Sequence, residues 1–131
     1  GLIGGALSGI AGSSEVFLGS VNTYANEWKN HLLQVPQEIL DTVGAVSEDC
    51  ARAMVTNLCE LYTTDCGIAV SGIAGPGGGT TEKPVGLVYI ATYIKGQIKC
   101  VTQNFRGNSK NVREQTITYA LNQLRRQLLG K

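Results

Sequence analysis

Histidine is nearly absent from this chain of 131 residues: His31 stands alone, so neither a Ser-His-Asp triad nor a histidine-rich zinc site is indicated. The four cysteines, Cys50, Cys59, Cys66 and Cys100, form no CxxC pair and read as buried free thiols in a reducing compartment, not as metal ligands. None has a base beside it in sequence, which leaves no cysteine nucleophile to propose. A preponderance of one charge is also missing. The net charge of +1 and thinly scattered Lys and Arg give no basic stripe, so contact with nucleic acid is not expected. No apolar run approaches the roughly 20 residues of a membrane span. The start, Gly1-Leu-Ile-Gly-Gly-Ala6, has neither the charged front nor the cleavage pattern of a signal peptide. These absences lead to a soluble cytoplasmic protein without membrane contact. The length suits one domain over residues 1–131, with no repeat and no low-complexity linker.

Glycine is what the chain has in quantity, and it gathers between Ser71 and Gly86, SGIAGPGGGTTEKPVG. Apolar runs lead in (Cys66 to Ser71) and out (Val85 to Tyr93), which reads as strand, long loop, strand. Pro76 and Pro84 stiffen the arms, while Gly77, Gly78 and Gly79 are free to adopt positive φ and turn backbone amides toward an anion. The standard phosphate motifs do not fit. Counting from Gly77 puts Glu82 where a Walker A loop needs its second glycine, and Gly75-Pro-Gly77 leads into a strand where a dinucleotide fingerprint opens a helix. Length, paired prolines and Thr80-Thr81 favour a binding loop over a mobile connection.

Along the chain, Leu2, Ile3, Ala6, Leu7 and Ile10 give helical spacing over Gly1 to Ala11, weakened by Gly4, Gly5 and Gly9 and so dependent on close packing. Phe17 to Tyr24 alternates as a half-polar strand, with Phe17, Gly19, Val21 and Thr23 on one face. Asn26 then caps a short helix with Lys29 in its first turn, and Pro36 opens another. Ser47 caps a helix reaching about Thr63, with Ala51, Met54, Val55, Leu58 and Tyr62 as its buried stripe. Lys95-Gly96 turns a hairpin into Gln97 to Phe105, and a last helix runs from Ser109 to about Leu129 on Val112, Ile117, Ala120, Leu121, Leu124 and Leu128.

Three stretches in order, GSSEVFLGSVNTYANEWK, GAVSEDCA and SGIAGPGGGTTEKPVGLVYIA, resemble the C-terminal domain of competence/damage-inducible protein A (CinA), the nicotinamide mononucleotide deamidase family. The resemblance covers Gly1 to about Leu129. It implies an α/β fold, a three-layer α/β/α sandwich with a mixed sheet whose N-terminal strand is missing from this chain. It also implies an amidohydrolase that converts nicotinamide mononucleotide to nicotinic acid mononucleotide and ammonia, with no cofactor or metal, as a homo-oligomer. In the family the first helix follows a Glu-Ser-Cys-Thr-Gly motif; Gly1 falls on its last glycine, so the nucleophilic serine is expected just upstream. The resemblance makes Tyr24 and Lys29 that serine's catalytic partners. It departs at Asn108-Ser109, where the family usually has Asp-Arg.

Five residues apart on one continuous helix, Tyr24 and Lys29 would point about 140° apart, so they converge only through a strand-to-helix turn. A lysine base must be neutral, which from a free pKa near 10.4 costs about 4.6 kcal/mol at pH 7. A helix N-terminus supplies roughly 1 kcal/mol of that, so burial or a nearby cation has to supply the rest. Taken alone, the two residues read as a strand-end tyrosine and a solvated lysine. The substrate's phosphate or ribose is assigned to Ser47, Ala74, Gly75, Gly77, Gly78, Gly79, Thr80 and Thr81, with Lys83, Arg106 and Arg113 as possible charge. The alternative is a noncatalytic nucleotide-binding or interaction domain in competence or DNA-damage responses, which a Ser-Cys-Thr-Gly run before Leu2 would argue against.

Overall fold

The computed structural model describes all 131 residues. Five α-helices and three strands follow in order: α1 (Leu2–Ser8), α2 (Asn26–His31), α3 (Gln37–Asp41), α4 (Glu48–Tyr62), β1 (Cys66–Gly72), β2 (Leu87–Ile94), β3 (Gln97–Asn104) and α5 (Ser109–Leu128). A single 3-10 turn, Ser13–Glu15, follows α1. The strands form one sheet in the order β1-β2-β3. Both pairings are antiparallel, so these three strands by themselves do not make the mixed sheet that the resemblance implies. Lys95 and Gly96, at φ 46° and 88°, supply the two positive values that a tight primed hairpin turn needs between β2 and β3.

Alternation along the strands sends side chains to two helical layers. Ala69 and Ala91 meet α4, whose Cys50, Ala51, Met54 and Val55 pack with Leu33 and Val35 in the larger core cluster. Val88 and Ile90 point the other way, against Val112 and Ala120 of α5 and against Phe105, with Ile3 of α1 at the margin. This is an α/β/α arrangement. The stripe of α4 differs at its C-terminal end, where Cys59 is buried and Tyr62 only partly so. The buried row of α5 is Val112, Thr116, Ala120 and Gln123, two of them polar, and Leu128 is exposed. Polar residues serve there because each is satisfied: Thr116 Oγ1 donates to the Val112 carbonyl, and Gln123 Nε2 reaches the carbonyls of Ile90 and Lys99 and the hydroxyl of Thr92.

The N-terminal third departs further from the pattern read in the sequence. The first helix stops at Ser8 rather than Ala11. Its glycines do work by packing, since a Cβ on Gly4 would collide with the side chain of Ser20. Phe17 to Tyr24 keeps the expected alternation of burial but is not a strand. The reason is pairing: none of the backbone amides from Leu18 to Tyr24 finds an acceptor within the chain, and without a ladder there is no sheet. Ala25, not Asn26, occupies the N-cap of α2, with no side-chain cap bond, so Lys29 lies beyond the first turn.

Candidate functional site

Lys29 is the only buried residue of α2, 7% exposed, on a helix of six residues. Its Nζ donates to the Thr23 carbonyl at 2.7 Å and to the Tyr24 carbonyl at 3.4 Å. No carboxylate lies within ion-pair distance; the two salt bridges of the chain are Arg52–Glu48 and Lys110–Glu114, both on helix surfaces. Burial pushes the Lys29 pKa below the usual lysine value, and the nearby Cys50 thiol works weakly in the opposite sense. Of the two sources named for lowering this amine, burial or a nearby cation, the structure has burial.

Tyr24 is placed otherwise. It is 95% exposed, and its phenol makes no hydrogen bond to the protein. The convergence of Tyr24 and Lys29 involves the tyrosine's backbone carbonyl and not its hydroxyl, since the side chain lies on the surface. Gly1 lies beside the Asn22 side chain, where a Cβ on it would come 3.4 Å from Nδ2. His31 sits on the outer side of α2, exposed and edge-on to Trp28 at 5.7 Å.

A second feature is a cleft of about 490 Å³ lined by Thr42, Val43, Val46, Ser47, Glu48, Asp49, Lys83 and Tyr89. The turn beside it is tied down from three elements, since Lys83 Nζ donates to the Val43 carbonyl, Ser47 Oγ to Gly44 at 2.7 Å, and Ser71 Oγ of β1 to Ala45 at 2.7 Å. Ser47 caps α4 as read, its Oγ accepting the Cys50 amide at 3.2 Å. Its hydroxyl is thus occupied on both sides. Cys50 lies beneath, its thiol pKa raised by burial and drawn back by the positive charges of Lys29 and Lys83.

Of the assigned loop residues, Ala74, Gly75, Gly77, Gly78, Gly79, Thr80 and Thr81 do not line this cleft. Ala74 packs instead on the α5 side of the sheet. Positive φ belongs to Gly75 and Gly78, at 82° and 88°, and not to Gly77 or Gly79. Gly79 is required for another reason, because a Cβ there would meet the Val85 amide nitrogen at 2.7 Å. The loop tip is closed by the Thr80 amide on the Lys83 carbonyl and the Lys83 amide on Thr80 Oγ1. The amides of Gly77, Gly78, Gly79 and Thr81 have no acceptor in the chain, and all four residues are exposed. Arg106 and Arg113 are exposed, and Arg113 borders a separate hollow of about 420 Å³ with Leu2, Lys110, Glu114 and Ile117. No group of three or more His, Cys, Asp or Glu side chains is arranged to hold a metal ion, and no helix is long and apolar enough to cross a membrane.

A profile of the CinA C-terminal domain matches residues 1–128. The chain belongs to the CinA C-terminal domain family. A CinA-like protein of Dictyoglomus thermophilum is 45% identical over 130 residues, covering 99% of this chain and 32% of that protein. The chain spans about a third of the length of the sequence relatives it matches. Among solved structures, a CinA superfamily protein from Klebsiella pneumoniae superposes with a TM-score of 0.96 at 34% identity, over 100% of this chain and 82% of that one. The competence/damage inducible protein CihA from Agrobacterium tumefaciens gives 0.93 at 41% identity, over 95% and 76%. For this CinA domain, sequence reasoning missed Cys50, Tyr89 and the carbonyl of Thr23 as neighbours of the site. Cys50 carried a signal, three residues after the cap Ser47 on the inward face of α4; a carbonyl acceptor carries none. Asn108 forms a reciprocal capping box with Asn111 at the start of α5.

Proposed function

We propose that this CinA domain is a nicotinamide-nucleotide amidase, releasing ammonia from nicotinamide mononucleotide to leave nicotinic acid mononucleotide, with Lys29 as the base toward a serine carried just before Gly1. The carrying observation is a lysine buried without a counter-ion, its amine resting only on backbone carbonyls. Such an amine is a better proton acceptor at neutral pH than a solvated lysine. Position supports the reading as well. A serine three residues before Gly1 has about 10 Å of chain with which to reach Lys29, and Gly1 starts beside Asn22.

In this reading neutral Lys29 accepts the serine proton as the oxygen attacks the carboxamide carbon. The resulting ammonium gives that proton to the amide nitrogen, which leaves as ammonia when the C–N bond breaks, and water then hydrolyses the acyl-enzyme, its proton passing through Lys29 back to the serine oxygen. Tyr24 relays a proton only if its phenol turns inward over the amine. The open amides of Gly77 to Gly79 and Thr81 are the proposed anion cradle for the phosphate. Within the cleft, Lys83 favours an anion whereas Glu48 and Asp49 oppose one.

The test is ammonia release from nicotinamide mononucleotide by the full-length protein. Lys29→Arg, which stays charged at any working pH, should lower kcat/KM by at least about 100-fold. Tyr24→Phe isolates the relay. Wild-type turnover in Lys29→Arg overturns the base assignment, and nucleotide binding without any ammonia release replaces the amidase with a noncatalytic binding domain.

A further inference from the structure

Resting on the assignment of Lys29 as base, we propose that Asn57 of α4 is the positioning residue that keeps this amine dehydrated. The helix bearing Lys29 has little to hold it. It is six residues long, has no side-chain cap, and exposes Trp28, while Leu32 at its C-cap is exposed too. A helix this short does not persist on its own hydrogen bonds. Its one inward residue is the lysine, which left to itself would swing its ammonium to water.

What fixes it comes after the helix. Leu33 and Val35 are buried against Cys50, Ala51, Met54 and Val55 of α4, and Gln34 between them sits at φ 54°, a left-handed value that a side chain adopts only at some cost. This kink sets two successive carbonyls before one carboxamide: Asn57 Nδ2 donates to Leu33 O at 2.7 Å and approaches Gln34 O at 3.4 Å. The clamp passes directly to the base. The Val35 amide donates to the Lys29 carbonyl at 3.0 Å, and Asn30 Nδ2 returns to the Val35 carbonyl at 2.9 Å. Asn57 is the only side chain from outside residues 25–35 that hydrogen-bonds into this segment. Removing it leaves the Leu33 carbonyl without its donor and frees the kink to relax, which opens the lysine to water.

The readout is the titration of Lys29 itself, followed by NMR in full-length protein labelled at the lysine Cε and assigned by the signal missing in Lys29→Arg. Asn57→Ala should raise the Lys29 midpoint by one unit or more and lower kcat/KM at neutral pH about tenfold per unit, since the neutral fraction falls tenfold per unit. Asn57→Gln keeps the two N–H donors and should bring the midpoint back toward wild type; it stands in if the alanine variant does not fold, with a rise smaller than one unit expected. Gln123→Ala, on the opposite face of the sheet, controls for destabilisation alone and should lower Tm without moving the titration. An unchanged midpoint in Asn57→Ala, or an equal shift in Gln123→Ala, overturns the proposal. Because the titration is read without substrate, a protein that releases no ammonia would defeat the amidase reading and leave this test standing.

Discussion

A buried lysine without a counter-ion is costly to the fold, and the sign of that cost can be worked out. Lys29 has a folded pKa below the unfolded value, so between the two the unfolded chain binds more protons and stability rises with pH; below both, the penalty is fully present. Cys59 and Cys100 act in the reverse direction. Burial first, and neighbouring Cys66 or Glu48 second, push these thiols up to about 11, so the folded state holds its protons longer and stability falls as pH climbs from about 9 toward 11. Lys29→Met keeps the stem and deletes the charge. It should stabilise the protein by roughly 1–2 kcal/mol at pH 7 and flatten the rise of stability as pH approaches the unfolded lysine value of 10.5, both read from urea unfolding from pH 7 upward. A loss of stability at pH 7 would mean that the two carbonyl hydrogen bonds outweigh the desolvation of the amine.

At the scale of elements, what was legible in the sequence is what local chemistry decides. Ser47 followed by Glu48 and Asp49 announced the start of α4, and the structure has that cap. Lys95-Gly96 announced the β2–β3 turn, and both φ values are positive. What local chemistry does not decide was misread: Asn26 looks like a cap, yet the helix begins one residue earlier because the Lys29 amide bonds to the Ala25 carbonyl. Nor does spacing reveal that Tyr24 turns outward while Lys29 turns in. Ser47 illustrates the consequence for the site. Its hydroxyl donates to Gly44 and accepts from Cys50, so it belongs to α4 before it belongs to any ligand. Ser47→Ala should cost about 1 kcal/mol of stability by chemical unfolding, with nucleotide affinity altered less than threefold; a larger loss of affinity would return the side chain to the binding surface.

For the molecule as a whole, the strands β1 and β2 were readable as apolar runs, whereas the extent of the sheet depends on partners that such runs do not name. Phe17 to Tyr24 has the burial pattern of a strand, and β1, at one edge of the sheet, is free along one side. A run of backbone amides without partners is unusual on a folded surface, because it is a template for further pairing. The proposed amidase needs a serine delivered from before Gly1 to the vicinity of Lys29, and a strand laid along Leu18 to Tyr24 would deliver it. Hydrogen exchange distinguishes the cases. In the 131-residue chain the amides of Leu18 to Tyr24 should exchange at nearly unprotected rates while those of Ile90 and Ala91, inside the sheet, exchange slowly. In the full-length protein several of the former should slow by about 100-fold or more, the equivalent of roughly 2.7 kcal/mol of local opening energy. Equal exchange in both would leave this segment without a partner strand, and would take from the proposed nucleophile the backbone that is meant to carry it to the amine.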